Sequence, residues 1–214
     1  KFKLKILILK IIDFLLKRFQ FYLLPNLSSN YLKNLSYSNE TNDYFFENSA
    51  KKINVMKIET SNYHTDLCEI GTKFGTDKSP FNKSGHRHPY TAIYDLFFSN
   101  FRNQKFNFAE IGILKNNSTK MFRNYFNKAK IYAFDYDAKL LSKAKSHKLK
   151  NTFYSTMNVK YSKDINDSFK RLKKKFKIII EDTTHEFSDQ IRVIENSIEF
   201  LEPGGLLIIE DIFY

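Results

Sequence analysis

KIIIEDTTHEFSDQI, Lys177 to Ile191, decides how the rest of the chain is read. The Ile178-Ile179-Ile180 run is short, β-branched and apolar at every position. That is the pattern of a strand buried on both faces, in the middle of a parallel sheet. Glu181, Asp182 and His185 follow at once, and then a helical period begins. In open parallel sheets ligands sit beyond the carboxyl ends of the strands, so two carboxylates and an imidazole stand where chemistry is expected. LEPGGLLIIEDIFY, Leu201 to Tyr214, repeats the arrangement: a Pro-Gly-Gly turn, the apolar run Leu206–Ile209, then Glu210 and Asp211. If the two strands are neighbours, Asp182, His185, Glu210 and Asp211 meet at one edge.

Working outward, strands and helices alternate from residue 106. FNFAEIGI, IYAFDYD, NTFYSTMN, KIIIED and GLLIIED read as five strands. Between them, STKMFRNYF reads as a helix capped by Asn117 or Ser118, with Met121, Phe122, Tyr125 and Phe126 inward. Ala138 to Lys148 is the next helix. The helix from Asp164 to Phe176 is expected to bury Ile165, Phe169, Leu172 and Phe176. The helix from Glu186 to Leu201 is expected to bury Phe187, Ile191, Ile194, Ile198 and Leu201. This alternation predicts an α/β fold: a doubly wound, mostly parallel, Rossmann-like sheet. Before it, YTAIYDLFFSNF reads as a helix with Ile93, Leu96, Phe97 and Phe101 on its inner face. HTDLCEIGTKFGTDKS carries Gly71, Gly75 and a Thr76-Asp77-Lys78 cluster, and a Gly/His/Pro-rich loop follows to Pro89. His86 and His88 are of metal-ligating type, but no Cys or third ligand stands at matching spacing, so they and His64 are read as solvated loop histidines.

The chain divides into an N-terminal segment, 1–24, a polar connector, 25–63, and the α/β domain, 64–214. Lys52–Ile58 reads as a short strand within the connector. In 1–24 the charge-free runs fall short of the ~20 residues a bilayer span requires. Lys3, Lys10, Asp13, Lys17 and Gln20 form one narrow stripe on a helix and leave a wide apolar face. Two roles suit that pattern: peripheral contact with a membrane interface, or packing on the domain or a second subunit in a homo-oligomer. Of the 214 residues 35 are basic and 23 acidic. Only six of the basic ones are Arg, in a chain crowded with Lys, Asn, Ile, Phe and Tyr, so the net charge of +12 is read as composition rather than as a nucleic-acid site. Cys68 stands alone, which excludes an internal disulfide and suits a reducing, cytoplasmic setting.

The first strand ends EIGILKNNST. A tight strand-to-helix turn directs backbone N–H groups at a ligand, and Glu110 and Asp135 stand at consecutive strand ends. A dinucleotide site would want G-x-G-x-x-G, and this loop offers Gly112 alone, which weakens a nicotinamide reading.

Taken together, GTKFGTDKS, HPYTAIYDLFF, FAEIGI, IYAFDYD, IIIEDTTHEFSDQI and LEPGGLLIIEDI resemble the class I S-adenosylmethionine-dependent methyltransferases. More narrowly, they resemble the metal-dependent sugar O-methyltransferases of macrolide and glycoside tailoring, with the cephalosporin-hydroxylase-like group alongside. The resemblance covers residues 65–214. It implies that Glu110, Gly112 and Asp135 hold S-adenosylmethionine, with Asn158 standing in for an acid near the adenine. It implies that Asp182 and Asp211, with Glu210 near, hold a divalent ion, and that His185 is the general base. Hard oxygen donors suit Mg²⁺ better than zinc, and imidazole is the side chain suited to take a hydroxyl proton near neutral pH. Tyr90 and Tyr94 are either pocket or core residues.

The chain departs from that pattern in several places. Leu114, Lys115 and Asn116 stand where further glycines are usual, and Thr183-Thr184 replaces Gly-Ser. Such folds carry two more strands after the fifth, so the chain is expected to be truncated there. The resulting expectation is Mg²⁺-assisted O-methyl transfer to a sugar hydroxyl of a small-molecule glycoside, glycolipid or polysaccharide. The alternative is a non-catalytic, membrane-associated α/β module that has lost its cofactor.

Overall fold

The computed structural model describes residues 58, 60, 63–83, 85 and 87–212. The expectations for 1–24, for nearly all of the connector and for His86 lie outside these. Five parallel strands form one sheet: β1 (Asn107–Ile111), β2 (Lys130–Asp135), β3 (Thr152–Thr156), β4 (Phe176–Glu181) and β5 (Leu201–Ile209), in the order β3-β2-β1-β4-β5. The strand order reverses between β1 and β4, which places the switch point of the sheet beside the Ile178–Ile180 run. All three isoleucines are fully buried, as their unbroken apolar pattern requires.

Alternation along the strands sorts two cores. Phe108, Ile131, Ile178 and Ile180 face helices α1 (Asp66–Phe74), α2 (Tyr90–Phe98) and α3 (Asn117–Tyr125) through Leu67, Tyr94, Phe98, Met121, Phe122 and Tyr125. Helix α4 (Ala138–Ser146) adds Leu141 and Ala144 against Ala133. On the other face Ala109, Ile111, Phe134 and Ile179 meet helices α5 (Ser162–Leu172) and α6 (Phe187–Ser197) through Ile165, Phe169 and Val193. The outer strands β3 and β5 are half-exposed, as sheet edges are.

Several local expectations are corrected. HTDLCEIGTKFGTDKS, to which the sequence pattern assigns no element, forms α1, whose start is capped by the Thr65 side chain and whose end is turned by Gly75 at φ 66°. His64 is solvent-exposed as expected and lies over Phe81, whereas His88 is partly buried and stacks on Tyr90. Helix α2 buries Thr91, Ala92, Tyr94 and Phe98 and leaves Leu96 and Phe97 exposed, because a hydrogen bond from Tyr94 to Glu210 sets its rotation. The cap of α3 is Asn116, in the left-handed region, with Met121, Phe122, Tyr125 and Phe126 buried as expected. Phe176 is not helical; it opens β4. Phe187 and Ile198 are exposed, because α6 turns polar Asp189 and Gln190 inward, where Gln190 donates to the Glu210 carbonyl at 2.9 Å. The Pro203-Gly204-Gly205 turn interrupts β5 from within: Leu201 pairs with Phe176, and pairing resumes at Leu206 with Ile178.

Phe169 touches the rings of Phe134, Phe176 and Phe200 and is fully buried, far from the strand ends. Phe169→Ala should lower unfolding stability by about 3–5 kcal/mol, measured by denaturant titration.

Candidate active site

The register aligns the strand ends. Glu110 pairs with Ile180, and Ile180 with Ile208, so Glu110, Asp182 and Glu210 project to one face of three adjacent strands. The ladder runs on past them: Asp182 N–H donates to Ile111 O at 2.9 Å and Glu210 N–H to Glu181 O at 3.0 Å. Beyond these ends lies a cavity of about 910 Å³, lined by Gly112–Lys115, Asp135, Tyr136, Asn158, Asp182–His185 and Asp211 among others.

Asp182, His185 and Asp211 converge. His185 Nε2 lies 3.9 Å from Asp182 Oδ1 and 3.8 Å from Asp211 Oδ2, and one donor atom from each residue falls within 4.8 Å of the others. His185 and Asp211 adopt left-handed backbone angles, φ 59° and 49°. For side chains with a Cβ such angles cost ~1–3 kcal/mol each and concentrate at functional sites. Tyr90 donates to Asp211 Oδ1, leaving Oδ2 toward His185. Burial, followed by that bond, pushes the Tyr90 phenol well above its usual range.

Glu210, expected near the ion, meets two buried donors in this structure. One carboxylate oxygen accepts from Lys78 and the other from Tyr94. Lys78 also donates to Asp182 Oδ2. Burial raises Glu210 to about 8, against the lowering effect of Lys78. Burial would lower the Lys78 ammonium, but the Glu210 and Asp182 carboxylates outweigh it and hold it above its ordinary value. Sequence reasoning missed Lys78 as a site residue. The Thr76-Asp77-Lys78 cluster was visible, but nothing local shows that its lysine is 2% exposed and paired with residues more than a hundred positions away.

The residues expected around the cofactor are placed unequally. Asp135 Oδ2 accepts from the backbone N–H of Ile113 at 3.1 Å and of Leu114 at 3.2 Å, while Oδ1 accepts from Asp137 at 3.0 Å. It therefore shapes the loop after β1. Asn158 lines the cavity, with its Oδ1 accepting from Lys160 N–H at 3.0 Å. Glu110 lies beneath the loop, fully buried. One of its oxygens accepts from Thr119 at 2.6 Å, and the other has no partner in the structure. Gly112 has φ 92°, and a Cβ there would lie 1.9 Å from the Asp182 carbonyl oxygen, so glycine is what lets β1 approach β4.

Two expected outcomes follow from these contacts. Gly112→Ala forces both a left-handed angle and a backbone clash, and should cost about 3 kcal/mol or more in a denaturant titration. Glu110 is raised from 4.5 to about 7, chiefly by burial and against hydrogen bonds from Ser118 and Thr119. The folded state thus holds this proton more tightly than the unfolded chain. The contribution is complete below pH 4.5 and lost as pH rises to about 7, by about 3 kcal/mol at most. Glu110→Gln should remove that decline, so its stability relative to the parent rises across this window.

A family model described as a methyltransferase domain matches residues 116–213. The chain is 26% identical over 156 residues to mycinamicin VI 2''-O-methyltransferase of Micromonospora griseorubida, covering 69% of this chain and 36% of that protein. It is 24% identical over 153 residues to 8-demethyl-8-alpha-L-rhamnosyl tetracenomycin-C 2'-O-methyltransferase of Streptomyces olivaceus, covering 68% of this chain and 37% of that protein. The chain thus spans little more than a third of the length of these relatives. Among solved structures, an rRNA methylase from Streptococcus thermophilus superposes with a TM-score of 0.45 at 18% identity, over 63% of this chain and 74% of that one. The chain thus matches the methyltransferase-domain model over just under half of its length, on a five-stranded, parallel, Rossmann-like sheet.

Proposed function

We propose that this chain performs S-adenosylmethionine-dependent, Mg²⁺-assisted O-methyl transfer to a sugar hydroxyl of a glycoside, glycolipid or surface polysaccharide. The observation that carries the reading is the convergence of Asp182, His185 and Asp211 on one cavity at adjoining strand ends, beside the loop after β1. The names of the relatives, both sugar O-methyltransferases, support the acceptor class. The single cysteine among the 214 residues supports a cytoplasmic setting. Among the described residues, no helix is long and apolar enough to cross a membrane.

The donor set fits a hard divalent ion: two carboxylates whose outward oxygens face each other across an imidazole. Gly112 and the loop held by Asp135, which line the cavity, fit a cofactor seated at the end of β1. When bound, S-adenosylmethionine supplies an electrophilic methyl on sulfonium, and Mg²⁺ lowers the pKa of a coordinated hydroxyl. Asp182 and Asp211 would hold the ion. His185, left to its nitrogen chemistry by a cation that prefers oxygen, would take the hydroxyl proton at Nε2. Tyr90 would keep Asp211 oriented, and the backbone around Gly112 and Ile113 would position the methyl donor, so that catalysis rests mainly on orientation and proton removal.

Calorimetric titration of S-adenosylmethionine, with and without Mg²⁺, tests this reading. Asp135→Ala should weaken binding tenfold or more by releasing the loop. His185→Ala should keep binding within about twofold while methyl transfer to a panel of rhamnosides and hexosides falls ~10²–10⁴-fold. A folded chain that takes up no S-adenosylmethionine would overturn the proposal and leave the non-catalytic module.

A further inference from the structure

The loop that follows β1 and opens α3 lines the cavity through Gly112–Lys115, Asn117 and Ser118. Asn116 lies between them and is 1% exposed, with its side chain turned to the back of the loop. There Asn116 Nδ2 donates to the Tyr154 hydroxyl at 3.0 Å, and that hydroxyl donates to Asn116 Oδ1 at 3.1 Å. Nδ2 also lies 3.1 Å from Nδ1 of His147. Both partners are anchored. Tyr154, on β3, packs against the cluster of Ile113, Ala133, Leu141 and Ala144. His147 ends α4, its N–H donating to the Ala144 carbonyl at 3.1 Å.

This loop is short of glycine, yet it takes left-handed backbone angles at Gly112, φ 92°, Leu114, φ 42°, and Asn116, φ 67°. Where a Cβ is present such angles persist only if the surroundings over-determine them. Asp135 holds the loop near its start, through the N–H groups of Ile113 and Leu114. The contacts of Asn116 hold its other end, where α3 begins.

We infer that Asn116, Tyr154 and His147 are positioning residues, a clasp that fixes the loop after β1 from behind in the shape that takes up the cofactor, and that closes fully only while His147 is neutral. The inference rests on the S-adenosylmethionine reading proposed above. A neutral imidazole protonated at Nε2 accepts at Nδ1, so every donor in the clasp meets an acceptor. An imidazolium donates from both nitrogens and sets a donor against the Asn116 amide. Turning the amide over restores that contact only by giving up the bond from Tyr154 to Oδ1. The charges that act on His147 are the ammoniums of Lys120 on α3 and Lys143 on α4, while Glu110 on β1 acts on the Tyr154 phenol. Burial, and then the two ammoniums, hold His147 below its ordinary value. The clasp is therefore closed at neutral pH and opened by acid.

S-adenosylmethionine is the probe, titrated calorimetrically into the full chain, and amide hydrogen exchange of the free chain reports on the loop. Asn116→Gly is the deciding variant. Glycine takes the left-handed angle without strain, so a residue needed only for its backbone angle would be replaced with no loss of affinity. The clasp predicts instead about three- to tenfold weaker binding, the effect of a lost hydrogen bond, with faster exchange in the loop. Tyr154→Phe keeps the backbone of Asn116, removes one hydroxyl, and should do the same. Parent affinity should fall about threefold or more between about pH 7.5 and about pH 5.5. His147→Gln keeps an acceptor that does not titrate, and should remove that share of the fall; Glu110 is common to both proteins and drops out of the difference. If either Asn116→Gly or Tyr154→Phe binds within about twofold of the parent, or His147→Gln leaves the pH dependence unchanged, the inference is overturned and the cofactor reading stands. A parent chain that takes up no S-adenosylmethionine overturns the cofactor reading and, with it, this inference.

Discussion

Gathering Glu110, Asp182 and Glu210 at the ends of three adjacent parallel strands, the first and last buried and Asp182 partly so, is the constraint on which this structure depends. Carboxylates in a low-dielectric interior are costly unless they are paired and hydrogen-bonded. The chain meets that demand with one ammonium, Lys78, and with hydroxyls from Thr119 and Tyr94. Each donor arrives on a different element, so α2, α3 and the segment between α1 and α2 are all drawn to the same place. The rotation of α2, which leaves Leu96 and Phe97 exposed, follows from it. A buried charge network of this kind adds little net stability, but it specifies one arrangement, because the alternatives leave a charge unpaired.

The same constraint divides the site into a fixed inner layer and an outer one facing the cavity. Lys78, Glu210 and Tyr94 are buried against each other, while Asp182 spans the boundary with one oxygen on each side. Gly112 keeps the boundary narrow, since only a residue without Cβ lets β1 lie against the Asp182 carbonyl. In the outer layer His185 and Asp211 are held in left-handed backbone conformations. Such angles persist where the surroundings over-determine them. Here the constraints are Tyr90 on Asp211 and Gln190, which donates to the carbonyls of Glu210 at 2.9 Å and Asp211 at 3.4 Å.

Much of this was legible in the chain itself. The Ile178–Ile180 run, the repeat of the Glu-Asp pair after the next apolar run, and the strand–helix alternation lead to the parallel sheet, and the structure places Asp182, His185 and Asp211 together as that reading expects. Boundaries and faces were less legible. Phe176 satisfies a helical period from Ile165 onward and also starts a strand, and periodicity alone does not separate the two. Helix α1 carried its signals in Thr65 and Gly75, but its mixed composition hid the buried face of Leu67, Cys68 and Gly71.

The sequence by itself determined the elements with a local cause: strands from unbroken or alternating apolar runs, helices from caps and period, and acids at strand ends from their position after those runs. Only the tertiary structure decided which of the acids faces the cavity. Asp182 and Glu210 follow apolar runs of the same kind, and no local pattern tells the two apart. They are separated by Lys78, which lies more than a hundred residues before either, and by Tyr94, whose hydroxyl takes the last oxygen of Glu210. Partnership across that distance is set by how the layers pack, and a chain read residue by residue carries no record of it.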